Sequence, residues 1–268
     1  MKFKNRTAEQ IMRRYWLGHH LIRVIRWVAC IFCMAILFRC ILFNDNPLWI
    51  LLIFAVYLLF LQALRLGNSL WFLTLNQILN RLCDPVKFSE VSQLLQQKIG
   101  SNTSGMAALN VAWGLYWSGR FGEAEKALTN VDLKRKNSPG QLLLWNLDFN
   151  CRVQRGDLDG ARYVRQEVEA SIQKKKPGSA VRKAGERLLD IMDAAFAERT
   201  EDWETFRRLH DHLAMENTTE FQRVTAAFSL AKADLAQGEA ENARTRLAYV
   251  AEHGGTLYIA EEARRLLA

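Results

Sequence analysis

The sequence predicts an all-α protein in two parts, an N-terminal pair of membrane-spanning helices and a C-terminal solenoid of paired helices. Three observations lead to this prediction. Residues 47–64 contain no formally charged side chain, and the apolar run Trp27–Phe43 lies just before them. Beyond residue 66 the apolar residues recur at three- and four-residue intervals, the spacing of an amphipathic helix. The whole net charge of +8 lies in the first 100 residues, which indicates that the two parts differ in environment.

Two spans are expected, at about 21–43 and 47–66, because a helix needs about 20 apolar residues to cross the hydrocarbon core of a bilayer. The second span has a charge only at its inner end. The first contains Arg23, Arg26 and Arg39, whose long side chains can reach the headgroups on either side. A cleaved secretory signal is the alternative for the N-terminus. The long basic region, the lack of a small-residue cleavage motif and the second span favour the hairpin.

Charge also predicts the topology of this transmembrane hairpin. Residues 1–100 hold 12 Lys and Arg against 4 Asp and Glu, whereas residues 101–268 hold 24 of each. The loop 44–46 has no positive charge, so the positive-inside rule places both termini in the cytoplasm, in a layout typical of a bacterial inner-membrane protein. Residues 1–20 form a basic segment expected to contact anionic lipid. The residues expected at the membrane interface are Arg13, Arg14, Arg23, Arg26, Trp27 and Trp49.

The cytoplasmic part contains a repeated pattern that is clearest in residues 108–128. Ala112 is followed by Gly119 and then by Ala124. This segment resembles a tetratricopeptide repeat, in which a small residue lies where two helices cross, Gly ends the first helix, and Ala allows a close contact on the second. The resemblance implies a helix pair in each repeat and an array that buries a continuous core by stacking neighbouring pairs.

Three further copies follow with decreasing regularity. The copy at 230–247 keeps all three positions, the copy at 145–168 has Phe149 at the small-residue position, and the copy around residues 200–203 has Phe206 in place of Ala. The four turns are then 37, 45 and 37 residues apart. Residues 67–104 are expected to form a connecting helical hairpin that turns near residues 83–85, and 105–268 a TPR-like domain with a closing helix at 256–268. The solenoid would contain about four to five helix pairs. The residues that define the repeats are Ala112, Gly119, Ala124, Gly156, Ala161, Ala231, Gly238 and Ala243.

The resemblance implies binding of a protein or peptide in a groove lined by the first helix of each pair. Aromatic and amide side chains suit such a ligand, since they offer apolar area and hydrogen bonds to a peptide backbone. Alternatively, the aromatic residues of the first repeat pack against the preceding hairpin or the membrane-proximal helix. The projected groove residues are Leu109, Trp113, Tyr116, Trp117, Asn146, Asn150, Phe228 and Lys232.

Other classes of function find little support. The five cysteines do not make a disulfide framework, because three of them fall inside the first span. His210 and His212 are two residues apart on a helix, unlike a metal pair, and residues 100–105 lack the Lys and Ser or Thr that a phosphate loop needs. No catalytic residue, metal or cofactor is predicted, and the protein is not expected to be an enzyme. The basic runs 134–136 and 174–176 each follow a predicted helix and precede a proline, so solvated loops are preferred to inner-leaflet contacts. Neither run has interleaved aromatics, so nucleic-acid binding is not expected.

The sequence therefore predicts a membrane-anchored adaptor or scaffold that binds a protein partner through a cytoplasmic TPR-like groove. The alternative is a structural or accessory subunit of a larger membrane transport or envelope assembly. In that case Arg39 and the polar edge of the first span would meet a partner inside the membrane.

Overall fold

A computed structural model describes residues 3–42, 47–98, 101–133, 139–214 and 219–268. In these ranges the chain is all-helical, with thirteen α-helices and no strand. It divides into two compact units, Met1–Gln77 and Ile78–Ala268. The predicted hairpin loop 44–46 and the basic run 134–136 lie outside the described residues.

The helices are α1 (Ala8–Leu42), α2 (Pro47–Leu75), α3 (Gln77–Leu82), α4 (Pro85–Lys98), α5 (Ser101–Trp117), α6 (Phe121–Thr129), α7 (Pro139–Arg155), α8 (Leu158–Gln173), α9 (Ala180–Arg199), α10 (Trp203–Ala214), α11 (Glu220–Ala236), α12 (Ala240–His253) and α13 (Tyr258–Leu267). From α4 onward each helix packs against the next one in the chain. Contacts between alternate helices join α5 to α7, α7 to α9 and α11 to α13.

The first unit begins with a capping box. The Thr7 hydroxyl accepts a hydrogen bond from the Gln10 amide at 3.3 Å, and the Gln10 side chain accepts one from the Thr7 amide at 3.2 Å, which satisfies two amides at the helix start. Helix α1 then continues through residue 20 without a break, so the predicted interfacial segment and the first span share one helix. Among the described residues, Ala8–Cys40 is the one stretch long and apolar enough to cross a membrane. The shorter apolar stretch Leu51–Leu64 lies in α2, and the second span remains a prediction.

Helices α1 and α2 pack against each other, and much of their apolar surface stays exposed. The side chains of Trp27 and Trp49 are 62% and 60% exposed, and those of the four predicted interfacial arginines are exposed too. The backbone of α2 is helical across residues 67–69, where the sequence leaves a bend or a continuous helix open. A solvent-facing apolar surface of this length is typical of lipid contact, because soluble domains bury such surface.

The small residues of the predicted repeat pattern lie in the core of the second unit. All five repeat-defining alanines are fully buried, and so is Phe149 at the small-residue position of the second repeat. Phe206, which replaces Ala in the third repeat along the chain, is 1% exposed. The core therefore includes both the small residues of the pattern and its two bulky exceptions.

A buried carboxylate links the end of α11 to the helices on either side. Asp234 is fully buried and accepts hydrogen bonds from Arg207 of α10 and Arg246 of α12, each at 2.8 Å. Two cations compensate for the cost of removing one carboxylate from water, and both its oxygens are bonded. This arrangement fastens α10, α11 and α12 together.

Candidate partner-binding site

Four turns in the second unit share one geometry. Gly119, Gly156 and Gly238 have φ values of +80°, +81° and +79°, and Glu201 has +58°. At each turn the amide of the following residue donates to the carbonyl five residues earlier, at 2.8–2.9 Å. This left-handed residue with a six-to-one hydrogen bond is a Schellman motif, which ends a helix and reverses the chain. The residues at the four positions singled out as turns in the sequence thus have equivalent backbone conformations.

The eight projected groove residues fall into two sets. Leu109, Tyr116 and Phe228 are buried, with 0%, 5% and 4% of their surface exposed. The other five are half-buried: Trp113, Trp117, Asn146, Asn150 and Lys232. Leu109 lies in a core cluster with Val111 and Leu147, where it stabilises the packing of α5 on α7.

The aromatic residues of α5 belong to a larger aromatic cluster, which consists of Trp113, Tyr116, Trp117, Phe121, Phe221 and Tyr258. The ring of Trp117 lies edge-on to Phe221 with centroids 4.8 Å apart, and it stacks on Tyr258 at 5.9 Å. Tyr116 approaches Phe121 at 5.2 Å and Tyr258 at 6.4 Å. The residues of α5 therefore pack against α6, α11 and α13, and not only against neighbouring elements of the sequence.

Two polar atoms in this aromatic cluster have no partner. The indole nitrogens of Trp113 and Trp117 are buried, and no acceptor lies within hydrogen-bonding distance among the described residues. The two indole rings are nearly parallel, with centroids 6.4 Å apart. An unpaired buried donor costs about 1–3 kcal/mol. Since an indole N–H can only donate, the group that would satisfy either atom is a hydrogen-bond acceptor.

The tyrosines of the aromatic cluster are neutral at physiological pH. Burial raises the pKa of Tyr116 well above its usual value, and burial raises the pKa of Tyr258 to about 12. Their side chains share a hydrogen bond, and the negative charge of the Glu198 carboxylate raises the pKa of both tyrosines further. Neither phenol is therefore prepared to act as a general base near pH 7.

A polar cluster of Glu198, His210 and Lys232 connects α9, α10 and α11. The Lys232 ammonium forms an ion pair with Glu198 and lies 5.4 Å from the centroid of the Phe228 ring. Burial lowers the pKa of His210 to about 4, and Lys232 lowers it further while Glu198 opposes the shift. The His210 ring packs on Phe206, and its Nδ1 is buried without a partner among the described residues. Lys232, one of the projected groove residues, is thus already paired within the chain.

The two asparagines of α7 bond to each other. The Asn150 amide donates to the Asn146 backbone carbonyl and side-chain oxygen, both at 2.7 Å. This pairing fixes the Asn150 side chain and leaves the Asn146 amide nitrogen facing away from that bond. The pair can offer a partner the two N–H donors of the Asn146 amide and the remaining lone pairs of its side-chain oxygens.

Sequence reasoning missed Phe221 and Tyr258 as neighbours of the first repeat. Residues 116 and 258 are far apart in sequence, and local periodicity contains no information about such a pairing. The Glu198 carboxylate was missed as well, because its ion pair with Lys232 joins residues 34 positions apart in the chain, and no local signal in the sequence identifies such a pair.

The chemistry of the remaining candidate groups is limited. No cluster of three or more His, Cys, Asp or Glu side chains that could hold a metal occurs in the described ranges. Burial, with a smaller effect of Glu220, raises the pKa of the Cys83 thiol to about 12, and burial beside Glu125 and Asp148 does the same for Cys151. Such thiols stay protonated and do not act as nucleophiles while they are buried.

Comparison with protein-family models, with curated proteins and with solved structures found no match to this chain.

Proposed function

We propose that this protein is a membrane-anchored adaptor, in which α1 and α2 span the bilayer as a hairpin and the unit Ile78–Ala268 is a cytoplasmic TPR-like array that binds a protein partner. The proposal places both termini in the cytoplasm and includes contact of the basic N-terminal segment with anionic lipid. Tethering confines the binding surface near the inner leaflet and raises its effective concentration for other membrane proteins.

The observation that carries the proposal is the fourfold recurrence of one turn, which in two of the four copies has buried alanines at the same distances on both sides. Ala112 and Ala231 precede their turn glycines by seven residues, and Ala124 and Ala243 follow them by five. All four are fully buried. Recurrence of this kind supports a repeat architecture, whose extended surfaces characteristically bind other chains.

The side chains available also favour binding over catalysis. The half-buried aromatic faces of Trp113 and Trp117 and the amides of Asn146 and Asn150 are suited to contact with a polypeptide. The ionisable groups beside them are paired, as in Lys232 with Glu198, or kept neutral by burial. Such groups position a partner and do not transfer protons near pH 7.

The first experiment tests the topology. Tyr163 is 61% exposed on α8, so a Tyr163→Cys reporter in a chain with its native cysteines replaced would be accessible to an impermeant maleimide. We expect labelling only after the cells are lysed. Labelling in intact cells would place the repeat unit outside the cytoplasm and would refute the adaptor proposal.

The second experiment tests the binding surface directly. A small diazirine amino acid at Asn146 of the full chain, activated in living cells, should give a discrete cross-linked product with another protein. The matched control carries the same group at Tyr163, on an exposed surface that is not part of the projected groove. Equal cross-linking from the two positions, or none from Asn146, would contradict a binding role for the projected groove.

A second candidate function is favoured by one observation. Arg39 lies on the apolar helix α1 and its side chain is exposed. A cation on such a helix is stabilised by a polar partner or by reaching the headgroups. An accessory subunit of a membrane transport or envelope assembly would supply that partner. An Arg39→Leu variant that loses a complex surviving mild detergent extraction would favour this subunit function, whereas an unchanged complex would contradict it.

A further inference from the structure

We propose that the C-terminal residues Gly255, Thr256 and Tyr258, here called the latch, are a built-in occupant of the partner site, and that a partner binds there by inserting an aromatic side chain in place of Tyr258. This inference rests on the proposed adaptor function and adds both a regulation and a class of partner. The partner is a helical segment with an aromatic residue near its N-terminus and hydrogen-bond acceptors beside it.

Tyr258 fills the site by packing against three aromatic rings of the first helix pair, α5 and α6. Its ring lies 5.2 Å from Phe121, 5.9 Å from Trp117 and 6.4 Å from Tyr116, measured between centroids. The Gly119 turn allows this approach, because a Cβ built on Gly119 would lie 3.1 Å from the Tyr258 Cβ. Two of the four projected groove residues on α5 are thus covered by a side chain of the same protein.

Backbone contacts of the latch reach the turn between α3 and α4. The Thr256 amide donates to the Cys83 carbonyl at 3.0 Å, and the Thr256 hydroxyl bonds to the Asp84 carboxylate at 3.0 Å. Gly255, with φ of +55°, lies so close that a Cβ there would be 2.5 Å from the Cys83 carbonyl oxygen. The latch therefore joins the first elements of the unit to the last.

The latch packs against the aromatic rings but provides no hydrogen-bond acceptor for the indole N–H groups. Tyr258 has its own hydrogen bond with Tyr116, while the indole nitrogens of Trp113 and Trp117 stay buried and unpartnered. A segment that supplied a carboxylate or a backbone carbonyl as well as a ring would make bonds that the latch does not make. This difference gives an external partner an advantage over the chain's own occupant.

Opening of the latch leaves α13 attached to its own helix pair. Ile259, Ala260 and Ala263 are buried, α13 packs on α12, and Arg264 donates to the Ala251 carbonyl at 3.1 Å. The contacts that break are the ones between Tyr258 and the first helix pair and between Thr256 and the α3–α4 turn. The closed form is occluded, and the open form exposes the aromatic cluster to a partner.

The test uses Cys83 as a reporter of opening. Cys83 is fully buried, and Gly255 and Thr256 both contact its backbone carbonyl. We therefore expect its thiol to react faster with a neutral maleimide when the latch opens. The full chain in mild detergent carries Cys83 as its one thiol, the other four cysteines being replaced. We expect Tyr258→Ala to raise the labelling rate by about tenfold, since the half-buried Tyr258 ring loses its contacts with Tyr116, Trp117 and Phe121. Tyr163→Ala removes an exposed tyrosine and should leave the rate unchanged.

Two further arms keep the test decisive if Tyr258→Ala unfolds the chain. Thr256→Val removes only the hydroxyl bond to Asp84 and should raise the rate by a smaller factor than Tyr258→Ala. The unsubstituted chain is also mixed with a synthetic peptide of residues 257–268, which carries Tyr258 but lacks Gly255 and Thr256 and so leaves Cys83 uncovered. Excess peptide should accelerate Cys83 labelling, and the same peptide with Tyr258→Ala should not.

No acceleration by either variant or by the peptide would show that the contact is permanent and would overturn the latch proposal. That result would leave the adaptor function to be judged by cross-linking from Asn146, which does not depend on the latch. Conversely, faster Cys83 labelling together with no cross-link from Asn146 would refute the adaptor function but would still show that the latch opens.

Discussion

The turn at Glu201 offers a direct measurement of what the repeat geometry costs. Three of the four equivalent turn positions are glycine, whereas Glu201 has a side chain at φ of +58°. The left-handed conformation costs a residue with a Cβ about 1–2 kcal/mol. Glycine avoids this strain but loses about 0.5–1 kcal/mol through its greater freedom in the unfolded chain. Glu201→Gly should therefore stabilise the protein by about 0.5–1 kcal/mol.

The measurement is thermal unfolding of the full chain in mild detergent, followed by circular dichroism. For a unit the size of Ile78–Ala268, a gain of about 0.5–1 kcal/mol raises Tm by about 1–4 °C. Gly156→Ala is the matched reverse change, because Gly156 has φ of +81° and no atom within 4 Å of an added Cβ. It should lower Tm by a similar amount through backbone strain alone.

A second control separates strain from general helix propensity. Gly122 lies inside α6, and an added Cβ there would also meet no atom within 4 Å. Gly122→Ala should therefore raise Tm, because Ala is the better helix former by about 1 kcal/mol. If Glu201→Gly lowers Tm or leaves it unchanged while both alanine variants behave as expected, the assignment of strain to Glu201 is wrong.

Three other predictions concern the buried groups of the repeat unit. Asp234→Ala should cost about 1.5–3 kcal/mol in urea unfolding because it removes the charged hydrogen bonds to Arg207 and Arg246, although Arg207 keeps its ion pair with Glu239, whereas Asp159→Ala, at an exposed ion pair, should cost less than about 1 kcal/mol. Burial lowers the pKa of His210 from 6.5 to about 4, so the unfolded state binds a proton at a higher pH than the folded state does. The free energy of unfolding is therefore unaffected by this group above pH 6.5 and falls by up to about 3 kcal/mol as the pH is lowered to 4. His210→Gln should remove this part of the pH dependence, measured as Tm against pH, and His212→Gln should retain it. Phe149→Ala should cost about 3–5 kcal/mol in the same urea assay, although Ala is the residue the repeat pattern prefers there, because the fully buried ring would leave a cavity.

Sequence reasoning was sufficient for the features that local chemistry determines. The all-helical class follows from periodicity. Helix caps depend on equally local signals, although they were not singled out in the sequence: Asp157 caps α8 by accepting from the Gly160 amide at 3.0 Å, and Thr219 forms a capping box with Gln222 at the start of α11. Such signals depend on residues three or four positions apart. The turn at Glu201 was predicted without a glycine, 45 residues after Gly156 and 37 residues before Gly238.

The partner site was harder to predict because its central contact is non-local. The pattern placed Tyr116 and Trp117 on one face of α5 but did not show that Tyr258 lies against them. An aromatic side chain is expected at a ligand-binding groove and also at a buried contact between helices. Residue type alone therefore does not distinguish a binding surface from a covered one. Only the fold shows that these rings contact the C-terminal helix, and this contact changes the question from which ligand fits the site to what displaces the present occupant.

Phe149 and Phe206 are the two bulky exceptions to the repeat pattern, and both are nevertheless packed in the core. Phe206 is buried in one cluster with Ala194, Ala197 and Ala233. The small side chains of these neighbours leave room for a ring that is larger than the alanine of the pattern. Phe149 packs edge-on to Phe196 at 5.4 Å and faces the alanine at position 161. Protein interiors conserve total volume at a contact more strictly than the size of any one residue. A helix crossing can therefore keep its geometry while large and small residues exchange sides, and a search for small residues at fixed positions underestimates the number of repeats.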